Sequence, residues 1–158
     1  DHPEWTAVIT GRVTPDNEAF AAALRKRIAD AGLGERILLV GEVDAIAPWF
    51  RRFDLYVAPP RNEGFGLTPL EAMASGTPVV ASDAGAFAEL IVEGVTGRVV
   101  PVGNAGALSR AIATYLSDDA LRREAGQAGL AHVRQNFPLQ READELRVVY
   151  EGLWSAAS

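Results

Sequence analysis

Two carboxylates, Glu63 and Glu71, flank the run Gly64-Phe65-Gly66-Leu67-Thr68-Pro69-Leu70. A glycine-rich loop lets the backbone approach a ligand closely. Where such a loop enters a helix, it also presents N–H groups and the positive end of the helix dipole, an arrangement that binds phosphate. The helix start is marked in the residues: Thr68 suits the N-cap, Pro69 the first helical position and Glu71 the third, a capping-box pattern. Glu63 does not fit a site for phosphate alone, because a second negative charge beside an anion is unfavourable. It does fit a ligand that also carries hydroxyl groups, since carboxylates accept hydrogen bonds from sugar hydroxyls. A turn before a helix, with Glu71 capping that helix, accounts for the same pattern without a ligand.

The elements that must hold this segment can be read along the chain. Thr6 to Thr10 is β-branched and apolar and ends at Gly11, as a strand does. Asp16 can cap a helix from Asn17, with Phe20, Leu24, Ile28 and Ala31 near one face and Gly32 and Gly34 as the stop. Strands are expected at Arg36–Val40, Asp54–Ala58, Pro78–Ala81 and Gly97–Pro101, with short helices at Ala45–Phe53, Pro69–Ser75 and Phe87–Val92 between them. Asn104 caps a helix to about Leu116, and Ser117 or Asp118 begins another that ends near Phe137-Pro138. A last helix from about Gln140 to Trp154 carries Leu146, Val149, Tyr150 and Leu153 at helical spacing. Arg51-Arg52 and Arg122-Arg123 read as solvated helix faces, and His132 as a structural histidine.

Alternating strands and helices, with short continuous apolar strands, imply an α/β fold: a Rossmann-like doubly wound parallel sheet with helices on both faces and further helices at the C-terminus. Ligands in such sheets bind outside the carboxyl ends of the strands. The loops to read are therefore Gly11-Arg12, Gly41 to Asp44, Pro59 to Leu67, Ser82 to Gly85, and Val102-Gly103.

The bulk numbers remove several function classes. The chain has 158 residues, the size of one domain, and is 48% hydrophobic, enough to build a core. Its net charge of −6 disfavours non-specific binding to nucleic acid or anionic lipid. There is no cysteine, and the two histidines, His2 and His132, are far apart, so neither a disulfide nor a zinc site is expected. No apolar run is long enough to span a membrane and no signal peptide is visible, so the expected location is cytoplasmic. The opening Asp1-His2-Pro3-Glu4-Trp5, with no initiator methionine, reads as the interior of a longer protein.

Glu63 and Glu71 form an E-x7-E motif. Together with Glu63-Gly64-Phe65-Gly66 and Gly76-Thr77-Pro78-Val79-Val80-Ala81-Ser82 it resembles the GT-B retaining glycosyltransferases of family 4. The likeness extends over Leu39-Val40-Gly41-Glu42-Val43, Asp54 to Pro59, and Gly94 to Val100, essentially the whole chain. It implies one domain, residues 1–158, the nucleotide-sugar-binding C-terminal part of a two-domain enzyme whose N-terminal part binds the acceptor. The implied reaction is transfer of a hexose such as mannose, with retention, from a nucleoside-diphosphate sugar to a glycan or lipid-linked acceptor, as in cell-envelope polysaccharide or lipopolysaccharide synthesis. The implied setting is the cytoplasm, at the inner face of the plasma membrane, with any membrane association made through the other domain.

Residue by residue, the resemblance places Glu63 at the donor sugar, where it bonds a hydroxyl and puts negative charge near the anomeric centre. It gives the sugar and diphosphate to the N–H groups of Gly64, Phe65, Gly66, Leu67 and Thr68, the ribose to Glu71, and the base to Val43 and Asp44. An Asp44 carboxylate can accept from guanine N1–H and N2–H, which favours a GDP-sugar over a UDP-sugar; Asp44 can equally be a plain helix N-cap. No metal or other cofactor is expected. The family's arginine–lysine pair has no match here: Lys26, the single lysine, lies mid-helix, and Arg12 reads as a surface or phosphate-rim residue. The resemblance puts that pair upstream of Asp1. A sugar-nucleotide epimerase is disfavoured by the paired glutamates, and a receiver-like regulatory module by the want of an acidic cluster at the strand ends.

Overall fold

The computed structural model describes residues 2–156, without the side chains of residues 139, 142, 155 and 156. The chain divides into two compact units, the first running through Ile46 and the second beginning at Ala47.

The first unit is a β-α-β run: β1 (Ala7–Thr10), α1 (Glu18–Asp30) and β2 (Ile37–Gly41). The two strands pair in parallel, Ala7 opposite Ile37 and Ile9 opposite Leu39, with an irregularity before Thr10. The helix starts one residue later than Asp16 would allow. Asn17 is its N-cap, and the Asn17 side chain bonds the preceding turn instead, accepting from Thr14 N–H and donating to the Arg12 carbonyl. Of the apolar face expected on α1, Ile28 is buried but Phe20 is 72% exposed.

The second unit holds α2 (Ala47–Phe50), β3 (Tyr56–Ala58), α3 (Leu67–Ala74), β4 (Val79–Ser82), α4 (Phe87–Leu90), β5 (Gly97–Val100), α5 (Ala105–Ser117), α6 (Asp119–Asn136) and α7 (Leu139–Ala156). Its three strands run parallel in the order β3-β4-β5. The single sheet expected from the alternation is thus seen as two parallel sheets, one in each unit. Every residue of β4 is buried, as a central parallel strand covered on both faces must be. Val80 joins Val100, Ala111, Tyr115 and Ala125 in one apolar cluster.

The strand and helix ends follow from local chemistry. Asn104 and Asp118 cap α5 and α6 as their types require, each accepting an N–H at 2.9 Å, from Ala107 and Leu121. At the end of α3, Gly76 sits at φ 80° and its N–H reaches the Met73 carbonyl, while the Thr77 N–H reaches that of Ala72. This paired closure needs a left-handed residue, which glycine supplies without strain. The Thr77 hydroxyl, itself buried, donates to the Phe50 carbonyl at 2.6 Å. Helix α6 lies close to α3 because Gly126 and Gly129 carry no side chain: a Cβ on Gly126 would stand 2.2 Å from the Gly76 carbonyl oxygen.

Arg122, expected on a solvated helix face with Arg123, is not solvated. Only 17% of its side chain is exposed, and it donates to the Tyr115 and Leu116 carbonyls that end α5. Such a bond satisfies carbonyls that a helix terminus leaves without partners. The expected apolar face of α7 is solvent-exposed, with Val149, Tyr150 and Leu153 more than half accessible.

Candidate functional site

The loop between β3 and α3 carries the candidate residues, and the helix it enters begins earlier than Thr68-Pro69 suggested. Leu67 is the first residue of α3 and Gly66 is its N-cap, at φ 76° and ψ 79°. The Thr68–Glu71 capping box is therefore not formed: neither side chain caps the helix. The physical reason is Gly66. As a glycine it takes the left-handed conformation cheaply, turns the chain into the helix two residues sooner, and moves Thr68 and Glu71 past the capping positions. The N–H groups of the first turn lack intrahelical acceptors, and no capping side chain covers them.

Glu63, Gly64, Phe65, Leu67, Thr68 and Glu71 are exposed, and Gly66 is half-buried. The Glu63 carboxylate accepts from the Gly64 N–H at 3.0 Å. Glu71 leaves α3 as an exposed carboxylate.

One residue outside the segment joins it. The Tyr56 phenol, half-buried at the start of β3, is hydrogen-bonded by Thr68 and feels the charges of both Glu71 and Glu63. Burial pushes the Tyr56 phenol above its ordinary range; the Thr68 hydrogen bond opposes the rise, and the charges of Glu71 and Glu63 add to it. Tyr56 stays a neutral hydroxyl at neutral pH. Its ring stands edge-on to Phe50, with centroids 5.0 Å apart. Nothing in the spacing of a strand tyrosine signals this role, because the contact crosses from a strand to the following helix.

Burial likewise raises the Tyr115 phenol, with Arg98 opposing and Glu93 adding. The sign of the consequence is fixed. Unfolded phenols ionise near pH 10, while these two hold their protons to higher pH. Folding stability is thus fully present below about pH 10 and falls as pH climbs towards the folded values. The denaturant midpoint should drop between about pH 9 and 11, and Tyr56→Phe should flatten part of that drop. An equal slope in the variant would contradict the burial of this hydroxyl.

The other candidates lie in the first unit. Val43 is half-buried and Asp44 is exposed, in the segment after β2. Helix α2 starts at Ala47, three residues beyond Asp44, so Asp44 is not its N-cap. Arg12 forms a surface ion pair with Glu42 at 3.4 Å, and Lys26 one with Asp30 at 2.7 Å. Among the described residues, no group of three or more His, Cys, Asp or Glu side chains could hold a metal ion. Among the same residues, no helix is long and apolar enough to cross a membrane. His132 lies in α6 with its Nδ1 beside the Asn136 amide at 3.1 Å and its ring edge-on to Phe137.

Comparison with known proteins gives a consistent picture. Residues 1–132 match the family described as glycosyl transferases group 1. The lipopolysaccharide core biosynthesis mannosyltransferase LpcC of Rhizobium leguminosarum bv. viciae is 59% identical over 152 residues, which are 96% of this chain and 43% of that protein. Among solved structures, the C-terminal domain of a group 1 glycosyl transferase (LpcC) from Francisella tularensis superposes with a TM-score of 0.82 at 34% identity, over 88% of this chain and 73% of that one. Anabaena Alr3699/HepE in complex with UDP-glucose superposes at 0.84 with 28% identity, over 92% of this chain and 42% of that one. This chain thus spans less than half the length of the mannosyltransferase it matches.

Proposed function

The chain belongs to the group 1 glycosyl transferases, with the fold of a GT-B C-terminal domain, and from that premise we propose that it is the donor-binding part of a retaining hexosyltransferase. The observation that carries this reading is the end of α3: a helix N-terminus without a side-chain cap, entered through Gly66, with an exposed carboxylate on either side of it. Such an end takes a diphosphate through backbone N–H groups and the helix dipole. The flanking carboxylates take the hydroxyls of the two sugars that a nucleoside-diphosphate sugar carries.

In this reading Glu63 accepts a hydrogen bond from the donor hexose and lies near the anomeric carbon, where positive charge develops as the glycosidic bond breaks. The N–H groups of Gly64, Phe65, Gly66, Leu67 and Thr68 hold the sugar and diphosphate. They stabilise the negative charge that grows on the leaving diphosphate, as fixed dipoles do without reorganising. Glu71 receives the ribose hydroxyls. The family resemblance gives the base to Val43 and Asp44, and an Asp44 carboxylate favours guanine over uracil. The complex of a neighbour with UDP-glucose supports a nucleotide-sugar here. The mannosyltransferase relative supports mannose as the hexose and a lipopolysaccharide core as the acceptor. The reaction needs no metal if dipoles and cations neutralise the leaving group. The acceptor-binding site, and the arginine–lysine pair characteristic of such enzymes, would be supplied by the rest of the full-length protein, working at the cytoplasmic face of the membrane.

Calorimetric titration of GDP-mannose, UDP-glucose and ADP-glucose tests the reading. One of them should bind, with GDP-mannose favoured, and Glu71→Ala should weaken that binding by about tenfold, the loss of one charge-assisted hydrogen-bonded contact. If none binds at millimolar concentration, or if Glu71→Ala binds as tightly as the parent, the assignment of this strip as the donor site is wrong.

A further inference from the structure

The loop between β3 and α3 is met at several points by the turn after β4. Ser82 ends β4, is 3% exposed, and its hydroxyl donates to the Pro60 carbonyl at 2.5 Å. The Ala86 N–H donates to the Gly64 carbonyl at 3.3 Å. Gly85, at φ 57°, lies so close to the loop that a Cβ there would stand 2.3 Å from the Gly64 carbonyl oxygen and 2.5 Å from that of Glu63. At the far end of the loop, Gly66 rests on the buried Phe87 ring, where a Cβ would stand 2.1 Å from Cε1. Four contacts from one six-residue turn thus meet the loop at Pro60, Glu63-Gly64 and Gly66.

We propose that the turn Ser82–Phe87 is the seat that positions the donor strip, and that Gly85 is a positioning residue fixing the height of the Glu63–Gly64 peptide. Gly85 touches no ligand in this scheme; it acts through Glu63 and Gly64. The inference rests on the donor-site reading above and adds where the sugar end of that site gets its geometry. A side chain at Gly85 meets two backbone carbonyl oxygens, which cannot rotate away as a side chain could, so the peptide itself must move. The sugar contact would suffer most, because the Glu63–Gly64 peptide is the part displaced, whereas Glu71 leaves from the body of α3.

The test uses the full-length protein, with GDP-mannose against GDP, and UDP-glucose against UDP, as paired probes in calorimetry. Gly85→Ala should weaken the nucleotide-sugar by about tenfold or more while weakening the bare diphosphate by no more than about threefold. Gly94→Ala is the control: Gly94 has the same left-handed conformation, at φ 73°, but nothing lies within 4 Å of the Cβ it would gain. It bears the same backbone strain and should leave both affinities unchanged. Ser82→Ala removes one hydroxyl and should move the ratio in the same direction by about threefold; it decides the matter if Gly85→Ala does not fold. Equal weakening of both probes in Gly85→Ala, or no change in the ratio in either variant, overturns the proposal. A parent protein that binds none of the four probes overturns the donor-site reading and the proposal together, whereas binding by the parent with an unmoved ratio overturns only the seat.

Discussion

Glu63→Gln in the full-length protein is expected to lower kcat by about a hundredfold, the size of effect that follows from losing one group aimed at developing charge. The substitution is close to isosteric. Its amide oxygen can still accept from the Gly64 N–H, as the carboxylate does. Glu63 is exposed and lies outside the core. The melting temperature should therefore stay within about 2 °C of the parent. Loss of rate with retained stability would separate a chemical role from a structural one. Initial rates at saturating donor give the answer, and parental turnover in the glutamine variant would remove Glu63 from the site's chemistry.

The largest expected effect on folding lies at the α3–α6 contact. Gly126→Ala places a methyl group 2.2 Å from the Gly76 carbonyl oxygen. That oxygen belongs to the turn that closes α3, so it cannot yield without opening the closure. Overpacking of this kind costs about 3 kcal/mol, offset by about 1 kcal/mol of helix propensity gained over glycine. The net loss of about 2 kcal/mol should lower the melting temperature by roughly 4–8 °C. Gly129→Ala is the milder neighbour, because its Cβ would meet the Met73 side chain at 3.1 Å, and methionine adapts. Thermal unfolding of the two variants side by side checks the difference; a Gly126→Ala protein as stable as the parent would mean that α6 does not approach α3 this closely.

Local signals in the chain were good guides where the structure depends on local chemistry. Asn104 caps α5 as its type suggests, and of Ser117 and Asp118, the two candidates to begin α6, Asp118 is the cap; an N-cap bond spans only three residues and is legible locally. The short apolar runs Arg36–Val40, Asp54–Ala58, Pro78–Ala81 and Gly97–Pro101 each overlap a strand, as period and turn residues suggest. The failures share a cause. Thr68 has the right chemistry for a cap, but Gly66 takes the position because a left-handed glycine can begin the helix sooner. Arg122 reads as a surface charge until α5 ends beside it and offers two carbonyls. Phe20 has the right spacing for a buried face, and spacing does not say how much of a face is covered. The loop carrying Glu63 was legible, but its supports were not. Ser82 and Gly85 reach it across more than twenty positions of chain, and no periodicity encodes which backbone a glycine will touch.

The seating of the β3–α3 loop on the turn after β4 also places that loop in the order of opening and closing. Most ligand-binding loops are among the first parts of a protein to open, because little holds them. This one is tied by the Ser82 hydroxyl to the end of a strand with no exposed residue, and by Gly66 to a ring that is 1% exposed. Releasing the tie at Ser82 requires the end of β4 to loosen, so the loop draws its persistence from the most protected strand of the second unit. Slow amide exchange at Ala86, whose N–H is held by the Gly64 carbonyl, would report the lifetime of this tie directly.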